Sequence, residues 1–240
     1  MAISKSKLSD NLDRVRERIA AACDRTRRDS REVSLVAVTK AAESASIRDL
    51  ISLGHVDVAE NRIQQLTQRA AEIDAWLARR KADDRQVRWH MVGHLQRNKV
   101  KACLAVADVI HSVDSLRLAE EISARAEQNE RVIECLMEVN CYQESQKQGV
   151  AVGAAFHLAE QIATLPGLRL TGLMTMAPMV ADTERARFAF VRLRELFEEM
   201  RNEKIGGREF RHLSMGMSND FEVAVEEGAT ILRIGTALFT

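Results

Sequence analysis

Eight short apolar runs, rich in β-branched residues and separated by charged segments of helical spacing, constrain this chain's fold more than any other feature. They are Val33–Lys40, Val56–Ala59, Val87–Val92, Val109–Val113, Ile133–Val139, Leu168–Met176, His212–Met217 and Ile231–Ile234. The first, short, apolar and β-branched, suits a strand covered on both faces, and the other seven are strand-like. Between them, Asn61–Arg80, Ser115–Gln128 and Glu184–Glu203 carry the period of surface helices. Regular alternation of strand and helix implies parallel strands joined by helical crossovers. Eight such units in 240 residues match a (β/α)8 barrel of the TIM type, an α/β fold whose last helix is short or missing here. The first thirty residues add one amphipathic helix, with Leu8, Leu12, Val15, Ile19 and Ala22 on its apolar side. The expected organisation is one domain over 1–240, with a helix over 1–30 and a barrel over 33–240. An open doubly wound sheet is the competing fold, but it usually has a glycine-rich turn after its first strand. This chain has Lys40-Ala41-Ala42-Glu43 there.

Charge and cysteine usage narrow the function classes. Lys+Arg and Asp+Glu both number 35, so no global field draws in nucleic acid or an anionic membrane. Cys23, Cys103, Cys135 and Cys141 lack CxxC spacing, which argues against a zinc site and a disulfide framework. No apolar run is long enough to span a bilayer, and charges interrupt the first thirty residues, so no secretory signal is expected. A reduced, soluble, cytoplasmic protein is expected. A monomer is the matching expectation, since the exposed faces show no large apolar stripe.

In such a barrel the reactive groups stand at the C-terminal ends of the strands, and phosphate is commonly held after the last two. The seventh run leads into Ser214-Met215-Gly216-Met217-Ser218 and the eighth into Arg233-Ile234-Gly235-Thr236. Ser218-Asn219-Asp220-Phe221-Glu222 reads as a helix start, with Asn219 and Glu222 spaced as a capping box. Helix starts offer unpaired N–H donors to anions, and Gly216 and Gly235 allow close backbone approach. Strand one ends in Lys40, and barrel closure sets it beside the eighth strand. A desolvated lysine is a usable nucleophile towards a carbonyl. Phosphate loops facing a nucleophilic lysine suit pyridoxal 5′-phosphate (PLP), and a phosphosugar aldolase would use the same two parts. Arg233 points into the mouth, and as a permanent donor beside a pyridine nitrogen it would keep that nitrogen unprotonated. A salt bridge to Glu226 or Glu227 is the alternative for Arg233.

Several other features read as structural. His90 and His94 lie four apart, but Trp89–Val92 reads as strand and Gly93 as turn, so they share no helical face and no metal is expected. His94–Lys99 starts a helix at the mouth. Asn140–Gly149 is a polar loop over it, with Lys147 as a lid or solvated residue. Met137, Met174 and Met176 are core filling, and nothing near Cys141 activates its thiol.

These motifs occur in one order. Val38-Thr39-Lys40, Glu60-Asn61, Trp89 through Lys99, Ser112-Val113-Asp114-Ser115, Val139-Asn140 with Glu144, Lys147 and Gly149, Ser214 through Ser218, and Arg233 through Thr236 together closely resemble the pyridoxal phosphate homeostasis protein family. The resemblance runs from about Val33 to Phe239. It implies a fold-type III PLP barrel related to the N-terminal domain of alanine racemase. It also implies Lys40 as the Schiff-base lysine, Arg233 near the pyridine nitrogen, Ser218, Gly235 and Thr236 around the phosphate, and Asn61 and Ser214 as lining residues. Family members are regarded as non-enzymatic carriers or buffers in vitamin B6 homeostasis, with PLP-dependent apo-enzymes as recipients. Ala59, Ala41-Ala42 and Asn219 depart from the usual pattern without touching these groups. An amino-acid racemase of the same barrel type is the alternative. It needs a second acid/base group, a tyrosine from a second domain in alanine racemase, and the one tyrosine here is Tyr142.

Overall fold

The computed structural model describes residues 3–80, 86–142, 148–177 and 183–240. Strands β1 (Ser34–Val38), β2 (Asp57–Glu60), β3 (Arg88–Met91), β4 (Val109–Val113), β5 (Ile133–Asn140), β7 (Leu168–Met174), β8 (His212–Ser214) and β9 (Ile231–Ile234) pair in parallel around a closed barrel. Closure comes from β1 against β9, with Val36 opposite Arg233 and Ala37 opposite Ile234, and β4 joins β5 on the far side. Every one of the eight apolar runs is a barrel strand. A two-residue strand β6 (Val150–Ala151), absent from the sequence reading, extends the end of β5 at Val139 and Asn140.

The outer wall is covered by α2 (Ser44–Ser52), α3 (Ile63–Leu77), α4 (Val100–Leu104), α5 (Leu116–Glu127), α6 (Val152–Ala163), α7 (Glu184–Asn202), α8 (Phe221–Glu226) and α9 (Thr236–Phe239). Among the described residues no helix is long and apolar enough to cross a membrane. The leading helix α1 (Lys5–Arg25) buries Leu8, Leu12, Val15, Ile19 and Ala22 as the spacing predicts. It stops five residues short of position 30, because Thr26 turns the chain and Asp29 caps a 3-10 turn by accepting the Arg31 N–H at 2.9 Å. α1 lies across α2, α8 and α9, over the β1–β9 seam. Asn11 donates to the carbonyls of Leu238 and Thr240 at 3.0 and 3.1 Å, and Arg28 to those of Val225 and Ala229 at 2.6 and 2.9 Å. These contacts tie α1 and the turn after it to the chain around the ends of α8 and α9.

Two hydrophobic clusters result. The larger lies between barrel wall and helices, and the smaller, of Val36, Ala59, Val92, Val109, Leu136, Met174 and Ile231, fills the barrel interior. Alternation along each strand sends one set outward and the next inward. On β9, Leu232 and Ile234 face the helices while Ile231 and Arg233 face in; on β3, Trp89 and Met91 face out and His90 in.

At Gly172 the wall is too tight for a side chain, since a Cβ there would lie 1.9 Å from the carbonyl oxygen of His212 on β8. Gly172→Ala is expected to cost about 2–4 kcal/mol in urea unfolding by forcing β7 and β8 apart. Gly153→Ala, with nothing within 4 Å of the new Cβ on α6, is expected to leave stability unchanged or raise it by up to about 1 kcal/mol.

Candidate functional site

A cavity of about 510 Å³ opens at the C-terminal ends of the strands, lined by Lys40, Asn61, Glu138, Ser218, Arg233, Gly235 and Thr236 among others. That volume suits a small organic ligand. Six of the seven residues expected at the site line this one space. The seventh, Ser214, lies one layer deeper, fully buried, with its hydroxyl 2.7 Å from Arg233 Nη1.

β1 ends at Val38, and the chain then makes a tight turn in which the Ala42 N–H donates to the Thr39 carbonyl at 2.8 Å. Lys40 rides on that turn. The Thr39 N–H donates to the Ala59 carbonyl at 2.9 Å, and its hydroxyl donates to Glu60 Oε1 at 2.5 Å. Arg69 of α3 reaches back and donates to the Thr39 carbonyl, to Glu60, and to the Ala42 carbonyl at 2.8 Å. A buried carboxylate and a guanidinium thus clamp both ends of the lysine's turn. Lys40 itself is exposed at the cavity rim. The desolvated lysine expected from its place after an apolar strand is not what forms, because two residues of turn carry it clear of the wall. Gly93 lets the ends of β2 and β3 close beside it, since a Cβ there would sit 2.2 Å from the Asn61 carbonyl.

Across the mouth, the Ser218 hydroxyl accepts from the N–H groups of Gly235 and Ala237 at 3.3 and 3.2 Å. Both bonds are long for N–H···O, so two donors at the start of α9 share one neutral oxygen. An anionic oxygen would satisfy them better. The capping box does not form. α8 begins at Phe221, Asp220 accepts the Met217 N–H at 2.5 Å, and Glu222 instead binds Arg18 of α1 at 3.1 and 3.0 Å. Gly216 serves the turn rather than a ligand: it has φ +91, and its Cβ would meet that of Ala224 at 2.5 Å.

Arg233 is buried, donating to Ser214 Oγ and, at 2.9 Å, to the Thr175 carbonyl. Glu226 and Glu227 pair with Arg25, Arg187 and Arg194, so the salt bridge considered for Arg233 is not made. Burial draws the Arg233 guanidinium down to about 10, against the opposing pull of Glu138 and Asp220. Glu138 on β5 is a lining group that reading the sequence missed, although an acid near the C-terminal end of an otherwise apolar strand is a signal in itself. Burial, reinforced by Asp114 and opposed by Arg233, raises its carboxyl to about 7. Met176 also differs from expectation: Met137 and Met174 fill the core, but Met176 lies beyond the end of β7, exposed and lining the cavity. His90 turns into the barrel and His94 towards the mouth. Glu144 and Lys147 lie outside the described residues.

With this geometry in hand, the comparisons agree with one another. The family model described as alanine racemase, N-terminal domain, matches residues 3–240. A pyridoxal phosphate homeostasis protein of Aquifex aeolicus is 40% identical over 230 residues, spanning 96% of each chain. An unknown protein from Bifidobacterium adolescentis superposes with a TM-score of 0.90 at 37% identity, covering 98% of this chain and 95% of that one. PipY of Synechococcus elongatus PCC7942, solved with PLP bound, gives a TM-score of 0.79 at 30% identity, covering 94% and 100%.

The raised Glu138 carboxyl makes stability depend on pH. The folded protein keeps this proton up to about pH 7, whereas an unfolded glutamate releases it near 4.5. The contribution is complete below pH 4.5 and is lost as pH rises through 7. Glu138→Gln, neutral throughout, is expected to match the parent near pH 4.5 and exceed it at pH 8 by on the order of 2–3 kcal/mol. Urea unfolding at both pH values measures the difference.

Proposed function

We propose, from the premise that this chain belongs to the pyridoxal phosphate homeostasis protein family, that its barrel mouth binds pyridoxal 5′-phosphate through Lys40 and serves as a carrier of it. One observation carries the reading. An amine (Lys40), a buried guanidinium (Arg233) and the donors at Ser218, Gly235 and Thr236 line a single cavity of about 510 Å³. This donor set fits the cofactor's aldehyde, ring nitrogen and phosphate. The PLP-bound PipY and the curated relatives' names support the same reading.

When bound, the cofactor supplies an electrophilic aldehyde with which a lysine amine condenses, releasing water. Lys40 supplies that amine, and the Arg69–Glu60 clamp holds its turn in place. Because Lys40 stands at the rim, water keeps access to it, which favours a reversible hold over a sealed one. Ser218, with the main-chain N–H groups of Gly235 and Thr236, would receive the phosphate, and Asn61 would line the ring. Arg233 would meet the ring nitrogen as a donor, held from below by Ser214. A guanidinium does not release a proton at neutral pH, so Arg233 would leave a ring nitrogen opposite it unprotonated and the ring a weak electron sink. Carbanion chemistry is thereby restrained, in keeping with a protein that holds and passes on its cofactor without substantial turnover. The barrel over 33–240 and its leading helix would act as one PLP-binding domain. It would work as a cytoplasmic monomer handing cofactor to PLP-dependent apo-enzymes.

Protein loaded with pyridoxal 5′-phosphate is expected to be yellow, and borohydride reduction followed by peptide mapping is expected to find pyridoxyl on Lys40. Lys40→Ala is expected to lose both colour and label. A label on another lysine, or none, rejects the assignment. Incubated with single-enantiomer alanine, the loaded protein is expected to preserve optical purity; loss at enzymatic rates would favour the racemase reading.

A further inference from the structure

A line of buried polar side chains crosses the barrel from the cavity floor to its opposite end. Arg233 Nη1 lies 2.7 Å from Ser214 Oγ, and that oxygen lies 2.9 Å from His111 Nδ1. His111 Nε2 is 2.9 Å from His90 Nδ1, and His90 Nε2 is 3.2 Å from Asp57 Oδ1. The two rings meet edge to face at 60°. Ser214 is on β8, His111 on β4, His90 on β3, and Asp57 is the first residue of β2, at the end of the barrel away from the cavity. Ser214, His111, His90 and Arg233 are buried, while the Asp57 side chain is one-third exposed.

Proton counting gives this line a direction. A guanidinium only donates, and an ionised carboxylate only accepts. Burial keeps both imidazoles neutral, with His111 held well below the usual histidine range. Around them lie Arg88, Asp108, His55, His212 and Arg233, and the charges do not reverse the effect of burial. Burial pushes the Asp57 carboxyl up, but the His90 hydrogen bond and the Arg88 guanidinium, 4.0 Å away, outweigh it, so it is ionised. Each ring then carries one proton, and Ser214 carries one, for three links. Asp57 requires His90 to donate from Nε2, which leaves His90 Nδ1 bare. His111 must therefore donate from Nε2, leaving its own Nδ1 bare, and the Ser214 hydroxyl must donate there. Any other arrangement sets two lone pairs or two protons face to face in a buried space.

We infer that Asp57, at the far end of the barrel, is a positioning residue for Arg233, acting through His90, His111 and Ser214. By fixing both tautomers it commits the Ser214 proton to His111 and turns the oxygen's lone pairs to the guanidinium. Without an acceptor at position 57, His90 is free to exchange tautomers. His111 can then present a proton to Ser214, whose hydroxyl loses its acceptor and must turn its own proton away from both His111 and Arg233. The consequence for the cofactor rests on Arg233 facing it as proposed above; the hydrogen-bond direction does not.

The test has two arms. In cofactor-free protein labelled with 15N-histidine at pH 7.5, long-range 15N–1H correlation is expected to show His90 and His111 both protonated at Nε2. A ring protonated at Nδ1, or at both nitrogens, overturns the relay whatever the cofactor does. In the second arm, Asp57→Leu is expected to scramble these tautomers, shift the absorption band of bound pyridoxal 5′-phosphate and weaken its binding about fivefold or more. Asp57→Asn, which keeps an oxygen acceptor for His90, is expected to restore tautomers, band and affinity to near the parent's. An unchanged band and affinity in Asp57→Leu, or equal losses in both variants, overturns the positioning role. Should Asp57→Leu fail to fold, the tautomers of the parent and of Asp57→Asn still decide the relay. Absence of cofactor binding in the parent would reject the proposed function and leave the tautomer result standing.

Discussion

The parallel pairing of β1 with β9 is the contact on which the rest of the molecule depends. It joins residues some two hundred positions apart, with Ser34 opposite Ile231 and Ala37 opposite Ile234. Closing that seam makes a sheet into a barrel, and it brings the turn carrying Lys40 to the side of Arg233, Gly235 and Thr236. Long loop closure is entropically expensive, so the seam is heavily braced. α1 lies over it, with Arg18 held by Glu222 and stacked 4.5 Å from the Phe221 ring centroid. Asn11 and Arg28 donate to carbonyls in and just after the last two helices. The leading helix is therefore the outer half of the joint that assembles the site.

The barrel interior is less hydrophobic than its strand sequences suggest. Seven apolar side chains form its dry part, but Glu138, Arg233, Ser214, His111 and His90 share the same space. Polar groups survive there because their partners come from strands across the barrel, as with His111 on β4 and Ser214 on β8. Outside the barrel interior, between β2 and α3, Glu60 Oε2 is a buried oxygen without a hydrogen-bond partner. Its companion Oε1 takes both Thr39 and Arg69, so the carboxylate is committed to holding the Lys40 turn.

This division of labour matches a cofactor carrier. The amine proposed for attachment, that of Lys40, sits exposed at the rim, while the guanidinium proposed to meet the ring, that of Arg233, is buried and hydrogen-bonded. On that proposal, an exposed nucleophile over a buried guanidinium would allow loading and release with little change in the wall.

Much of this was legible from the chain alone, because it rests on local pattern. Alternating apolar runs and helical segments specify parallel strands with crossovers. A lysine after the first run, and Ser218 and Gly235 after the last two, stand at strand ends wherever the strands go. What the sequence could not disclose is which side of each strand faces inward. In a parallel wall both faces are apolar, so His90 and His111 read as separate interruptions of their runs rather than as parts of one connected line, and Glu138 as a further acid in a strand. Nor could it show that Arg69 reaches back to Thr39 and Glu60, or that Glu222 leaves its helix start for Arg18. Those contacts join segments brought together only when the barrel closes, and closure is a property of the whole chain.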